Sequence, residues 1–365
     1  MSAPRVMIVL NRLGTGGVER VALHLANGLA ARGNRVMFVL LSNGGVLEHL
    51  IAPEVEVVRL GHSLERGVGL LRVAPQLARL IRDRQPDVLL SPGNHMHAVV
   101  TLAHRLSGAR AKLALKMTNP VERGRAGWLT NALRRTFFRA AAREADLVLA
   151  LSDAARQEAA TIAPQSASRL RVVANPYVED ALLTREHKPR EPGDDEPILL
   201  SVGRLTAQKD PLMMIEALAG LKDRPWRLVM LGEGPLADDV KARADALGIA
   251  DRLEMPGYVA DPRPWFDQAR LFLLSSRYEE LPAVLFEALA ARLPIVSTAA
   301  SASVVQALDS GRFGRLVPPG DVEAFRRAIG DALDGQAGAP DARSWIEKFT
   351  ISAGVASHAD ALGLR

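Results

Sequence analysis

Apolar residues in this chain cluster in short unbroken runs, and the segments between them carry apolar positions at the spacing of a helix face. The first run is 6–10, Val-Met-Ile-Val-Leu. A glycine loop follows, then helical periodicity over 18–31, a stop at Arg32-Gly33 and a second run over 36–41. The same alternation predicts strands at 55–60, 88–90, 113–116, 147–151 and 171–173, with helices in most of the gaps. Strands without polar alternation are buried on both faces, and strands alternating with helices build a parallel, doubly wound sheet. Between 185 and 197 the periodicity stops in a polar, proline-rich segment that reads as an interdomain linker. It restarts with Ile198-Leu199-Leu200-Ser201-Val202. The expected fold is therefore α/β, with two Rossmann-like, doubly wound parallel-sheet domains, 1–184 and 198–343, facing across a cleft, and a last helix over 344–365.

One β-α-β unit carries candidate chemistry. Residues 271–274 are a buried strand, Pro282 suits the first turn of a helix, and 294–297 begin the next strand. Glu279 lies in the strand-to-helix loop, and Glu287 about a turn and a half into the helix. Both can face the crevice beyond the strand's carboxyl end, where open α/β sheets bind ligands. Ionised carboxylates there accept hydrogen bonds from vicinal hydroxyls, so a sugar or a ribose is the guest they suit. After the strand over 198–202 comes Gly203-Arg204-Leu205-Thr206-Ala207-Gln208-Lys209-Asp210-Pro211. Its guanidinium fork and ammonium point charge suit a diphosphate; in isolation, two solvated surface cations is the competing reading. With the glutamates, the cations describe a nucleotide-sugar.

The stretch Ser276-Arg277-Tyr278-Glu279-Glu280-Leu281-Pro282-Ala283-Val284-Leu285-Phe286-Glu287-Ala288 resembles the paired-glutamate signature of retaining GT-B glycosyltransferases of family four, the bacterial cell-surface polysaccharide type. Gly203-Arg204 with Lys209 is similar to that family's donor-phosphate element, and Gly311-Arg312-Phe313-Gly314-Arg315-Leu316-Val317-Pro318-Pro319-Gly320-Asp321 to its closing strand and turn. Leu231-Gly232-Glu233-Gly234-Pro235 and Met255-Pro256-Gly257-Tyr258-Val259 also resemble family positions, although turn chemistry accounts for both. In the first domain the likeness is carried by Gly16-Gly17-Val18-Glu19-Arg20. That segment fails as a dinucleotide fingerprint, because Glu19 stands where the third glycine belongs.

The resemblance implies GT-B architecture, with the last helix packed back on the first domain. It implies a retaining, hexosyltransferase-type enzyme that moves a sugar from a nucleotide-sugar to a glycan or lipid-linked acceptor, in lipopolysaccharide, capsule or exopolysaccharide assembly. It places Glu279 on the transferred sugar, Arg204 and Lys209 on the diphosphate, and Glu287 on the ribose. Gly257 and Tyr258 would line the base, with Gly203, Leu281, Pro282 and Val284 completing the donor site, while Gly16 and Gly17 would let backbone approach the distal phosphate. The nucleotide-sugar is a substrate rather than a cofactor, and a UDP-sugar is expected ahead of a GDP-sugar. No Asp-x-Asp occurs in the sequence. Metal independence is therefore expected, with the cations and a helix amino terminus neutralising the leaving group.

Three positions depart from the family pattern. Where a histidine is expected after a middle strand, the chain has Thr118 or Asn119, with His95 and His97 nearby. His95, Thr118 and Asn119 are candidates for sugar or acceptor contacts. Glu280 replaces a glycine, so its carboxylate either alters sugar choice or points to solvent, and Arg292 replaces another at a helix end. A sugar-nucleotide 2-epimerase, or a non-catalytic sugar-nucleotide-binding protein, is the alternative reading.

Composition sets the outer limits. With 365 residues, 48% apolar and 24% charged, the chain can bury a sizeable core, and its length favours two domains. It has no cysteine, which excludes disulfides and thiolate metal sites and agrees with a reducing compartment. The first apolar run is too early and brief for a signal peptide, and none approaches the roughly 18 residues of a membrane span. A cytoplasmic location, peripheral on the inner face of the plasma membrane, is expected. Residues 1–175 carry 24 Lys+Arg against 12 Asp+Glu, and the remainder 22 against 29, so the first half asks for an anionic partner. The stretch 123–143 interleaves Trp128, Leu129, Leu133, Phe137 and Phe138 with Arg125, Arg134, Arg135, Arg139 and Arg143, and 70–84 adds four arginines around an apolar stripe. Such basic amphipathic stretches suit an anionic membrane surface; ordinary surface helices with their apolar faces inward are the competing reading. Nucleic acid is not expected, given 4% aromatics and no recognition motif.

Overall fold

The computed structural model describes residues 3–14, 16–62, 68–122, 127–184, 196–336 and 341–364. Residues 185–195 of the expected linker, and Arg123 and Arg125 of the basic stretch, lie outside the described residues. The chain divides into two compact units, Met1–Tyr177 with Lys348–Arg365, and Val178–Glu347.

In the first unit, strands β1 (Arg5–Leu10), β2 (Arg35–Ser42), β3 (Glu56–His62), β4 (Val88–Ser91), β5 (Lys112–Lys116), β6 (Leu147–Ala150) and β7 (Leu170–Val172) form a parallel sheet in the order β3-β2-β1-β4-β5-β6-β7. Val6 to Leu10 are all buried, as a strand covered on both faces requires. On one face Met7, Val9, Leu89, Leu113 and Leu115 meet Leu77, Ile81, Val99 and Val100 from the helices Ala74–Arg84 and His97–Ser107.

The helix expected over 344–365 is broken in two. Arg343–Ile346 stays with the second unit, and Ile351–Leu362 packs on the helix Gly17–Ala31 in the first. Thr350 restarts the helix, its hydroxyl accepting the Ala353 N–H at 3.2 Å. Lys112 Nζ donates to the Leu362 carbonyl at the far end, at 3.1 Å. Two bases are fully buried in this unit, Lys116 at the end of β5 and His358 on the C-terminal helix. Burial lowers the Lys116 ammonium to about 7, and its Nζ has no partner. Burial first, and the nearby Lys116 charge second, lower His358 to about 3.

In the second unit, β8 (Ile198–Val202), β9 (Arg227–Leu231), β10 (Leu253–Gly257), β11 (Leu271–Leu274), β12 (Ile295–Thr298) and β13 (Arg315–Val317) form a parallel sheet in the order β10-β9-β8-β11-β12-β13. Leu199, Leu228, Met230, Leu273 and Val296 pack with Trp226, Met214, Leu218, Phe325 and Ile329. Pro282 does not enter the first helical turn: it is the residue preceding the helix Ala283–Ala290, in extended conformation. Each strand order reverses once, between β1 and β4 in one sheet and between β8 and β11 in the other. Loops diverge beyond the strand ends at such a switch point, which leaves a crevice for a ligand.

Candidate functional site

The switch point of the second sheet brings together the two loops that the sequence singles out. Lys209, from the loop after β8, and Glu279, from the loop after β11, form an ion pair of 2.6 Å, with 21% and 9% of their side chains exposed. Gly203 makes room for the lysine, since a Cβ there would lie 3.3 Å from Lys209 Cε. Ser276 Oγ donates to the same Glu279 oxygen at 2.9 Å, and Thr298 Oγ1 holds the Ser276 carbonyl at 2.6 Å.

A second pair, absent from the sequence reading, joins the same loops. Arg277 grips Asp210 through Nε at 2.6 Å and a terminal nitrogen at 3.0 Å, which holds the guanidinium above its ordinary range. Asp210 is buried and left-handed, with φ of 48°. Ser275 Oγ lies 2.9 Å from both the Lys209 and Asp210 carbonyls, Arg277 N donates to Gln208 O at 2.8 Å, and Gln208 Nε2 returns to Tyr278 O at 3.1 Å. No sequence pattern pairs residues 67 positions apart.

Below these loops the strand ends interlock through backbone. Gly203 N donates to Leu231 O at 2.9 Å, Leu205 N to Glu233 O at 2.9 Å, and Gly232 N to Gly257 O at 2.8 Å. A Cβ on Gly232 would lie 2.0 Å from Gly203 O, and one on Gly234 2.2 Å from Leu205 O, so both glycines are required by close approach and not by turn geometry alone. Arg204 is exposed beside this floor. Tyr258 Oη and Thr206 Oγ1 are buried without a partner, two polar atoms that a ligand could satisfy. Leu281 and Pro282 are buried, and Val284 and Glu287 half-buried. Glu280 does not point to solvent: it is buried and accepts from Ser303 Oγ at 2.9 Å, tying its loop to the helix Ala302–Ala307. Arg292 follows the helix Ala283–Ala290 with φ of 51°, the conformation a glycine would adopt without strain.

The switch point of the first sheet gathers the other candidates. Asn94 spans the loops after β4 and β5: its Oδ1 accepts Thr118 N at 2.7 Å and Thr118 Oγ1 at 3.2 Å, and its Nδ2 donates to Asn119 O at 3.0 Å. The sequence reading missed Asn94, whose role depends on a neighbouring strand. His95 is half-buried, against the Gly93 backbone. His97 is buried with Nδ1 on Ser91 Oγ at 2.8 Å, and burial lowers it to about 3, so it is a neutral packing residue. Gly16 has a local reason to be small, since a Cβ there would lie 2.3 Å from the Glu19 carboxylate; Gly17 has open space around it.

The basic stretch folds as the helix Trp128–Glu144, and most of its large apolar side chains do not turn into the core. Phe138, Ala141 and Ala142 face inward, while Trp128, Leu129, Leu133 and Phe137 are 80%, 58%, 53% and 66% exposed. Arg135 pairs with Glu122 at 2.6 Å, and Arg139 Nε donates to Ile162 O at 2.7 Å. The 70–84 stretch behaves as an ordinary surface helix: Leu77, Ala78 and Ile81 are buried, and Arg82 bonds the Ser107 and Leu106 carbonyls.

Two doubly wound, Rossmann-like units are the architecture of the GT-B fold. Residues 15–180 match the family model described as glycosyltransferase family 4, and 184–350 the one described as glycosyl transferases group 1. Together the two models span nearly the whole chain, which is a glycosyltransferase of the kind they describe. It is 32% identical to the alpha-D-kanosaminyltransferase of Streptomyces kanamyceticus over 216 residues, about half of each chain (56%). It is 25% identical to the lipopolysaccharide core biosynthesis glycosyltransferase LpsE of Rhizobium meliloti, over 86% of this chain and 84% of that one. Among solved structures, Anabaena Alr3699/HepE in complex with UDP and glucose superposes with a TM-score of 0.79 at 18% identity, over 98% of this chain and 99% of that one.

Proposed function

We propose that this enzyme transfers a sugar, with retention of configuration and without a metal ion, from a nucleotide-sugar to a glycan or lipid-linked acceptor in bacterial lipopolysaccharide or polysaccharide assembly. The observation that carries the reading is the Lys209–Glu279 pair of 2.6 Å at the strand ends of the donor-side sheet. An ammonium and a carboxylate that are already paired can each turn to one half of a sugar diphosphate, the lysine to phosphate oxygens and the glutamate to hydroxyls. Arg204 adds a fork on the diphosphate, Glu287 takes the ribose, and Tyr258 with Gly257 borders the base. As the sugar–phosphate bond breaks, charge grows on the leaving oxygen. Fixed cations stabilise that charge more than the ground state. The departing phosphate oxygen then assists deprotonation of the incoming hydroxyl on the same face, which preserves the anomeric configuration.

The similarity to LpsE supports the polysaccharide setting, and the UDP and glucose bound by HepE support a UDP-sugar donor. Residues of the first unit carry 26 Lys+Arg against 13 Asp+Glu, those of the second 20 against 28. This charge, with the four exposed apolar side chains of the helix Trp128–Glu144, favours an anionic bilayer surface as the place where a lipid-linked acceptor is met. A screen of UDP-, GDP- and ADP-sugars against lipid-linked and free glycans, read by chromatography that separates epimers coupled to mass spectrometry, tests the reaction. Acceptor-dependent nucleotide release is expected, and conversion of the sugar without an acceptor would replace transfer with epimerisation.

A further inference from the structure

We propose that Arg277 is a positioning residue for the donor diphosphate: by occupying both oxygens of Asp210, it keeps the Lys209 ammonium turned towards Glu279 and the phosphates. Asp210 follows Lys209 directly, is buried, and has a left-handed backbone. A buried carboxylate without a partner draws the nearest available cation, because it has no water to turn to, and Lys209 is its sequence neighbour. The Arg277 fork removes that competition, since contacts of 2.6 and 3.0 Å satisfy Asp210 at both oxygens. Lys209 then runs over Gly203 to Glu279, while Ser275 Oγ fixes the Lys209 and Asp210 carbonyls. The backbone bond from Arg277 to Gln208, with the Gln208 side chain on Tyr278, sets the spacing of the two loops that carry the pair. In this arrangement Arg277 acts through Asp210 and does not touch the donor.

The inference rests on Lys209 being the diphosphate cation, and the test separates the two. UDP and GDP are titrated calorimetrically into the wild type, Lys209→Ala, Arg277→Gln, Arg277→Lys, Asp210→Asn and the double variant Asp210→Asn/Arg277→Gln, each with a thermal melt. Arg277→Gln is expected to lose about tenfold in affinity for the preferred nucleotide, the scale of one charge-assisted hydrogen bond. The double variant recovers to within about threefold of wild type, because the competing carboxylate has been neutralised along with its partner. Arg277→Lys falls between, having charge without the fork. A double variant as weak as Arg277→Gln would overturn the proposal and place Arg277 on the ligand, and an Arg277→Gln variant with unchanged affinity would overturn it outright. Should Arg277→Gln melt before it can be titrated, Asp210→Asn alone is expected to bind at the wild-type level, and a tenfold loss there overturns the proposal. If Lys209→Ala binds as wild type, the donor-site reading itself has failed.

Discussion

Lys209 and Glu279 share one contact of 2.6 Å, yet their removal should be felt in different measurements. Lys209→Ala should weaken nucleoside diphosphate binding by about 1.5–3 kcal/mol, as for the loss of a hydrogen bond to a charged group, and Arg204→Lys should also weaken it because the planar fork is lost. Calorimetry on the two variants checks both, and unchanged affinity in each would take these cations out of the site. Glu279→Gln should lower turnover more than nucleotide affinity, whereas Glu287→Gln should weaken the nucleotide itself; indistinguishable kinetic profiles would end that division of roles. At this scale the sequence pointed to Lys209 and Glu279 because their residue types stand out within their loops, and the structure brings the two together. The sequence was silent where meaning depends on a partner far along the chain. Arg277 became a clamp only through Asp210, and Asn94 a bridge only through Thr118 and Asn119.

The helix Trp128–Glu144 shows what an amphipathic pattern leaves open. Its apolar and basic residues could be read from spacing, but which face turned inward depended on what lay beneath it. Phe138, Ala141 and Ala142 filled that position, and Leu129, Leu133 and Phe137 were left outside. The apolar side chains, more than the engaged arginines, should therefore drive attachment. Leu129→Ser/Leu133→Ser/Phe137→Ser should abolish co-sedimentation with anionic vesicles while nucleotide binding persists, and wild-type binding should fall with added salt as the surrounding positive charge is screened. Equal partitioning of the two proteins would return this helix face to plain solvent exposure. Strands buried on both faces, such as β1 and β11, were the most legible elements, because such burial leaves an unbroken apolar run. Their mutual locking was not legible. Gly232→Ala should lower stability and nucleotide affinity together, since the methyl would meet the Gly203 carbonyl, and a melt with titration checks both.

Across the molecule, three buried bases make stability depend on pH with a definite sign. His97 and His358 titrate near 3 in the fold against an ordinary 6.5, so the unfolded chain binds more protons between these values. Their stabilising contribution is complete above pH 6.5 and is lost as pH falls towards 3, at a slope of at most about 2.7 kcal/mol per pH unit for two such groups. Lys116, near 7 in the fold against 10.5, gives the same sign over 7–10.5: stability falls as pH drops through that window, and below it the amine is charged in both states. Lys116→Met should flatten the alkaline window and raise stability at pH 7. Denaturant unfolding across pH tests this, and an unchanged profile would refute it. One feature of the whole chain bears on how it is made. The first unit closes only with the helix Ile351–Leu362, which emerges from the ribosome after every residue of the second unit. Until then the face of the helix Gly17–Ala31 that this segment covers lacks its partner, so the nascent first unit has an uncovered surface throughout synthesis of the second. The unit that begins first during translation is the one that finishes last, and chaperone demand should be concentrated in that interval.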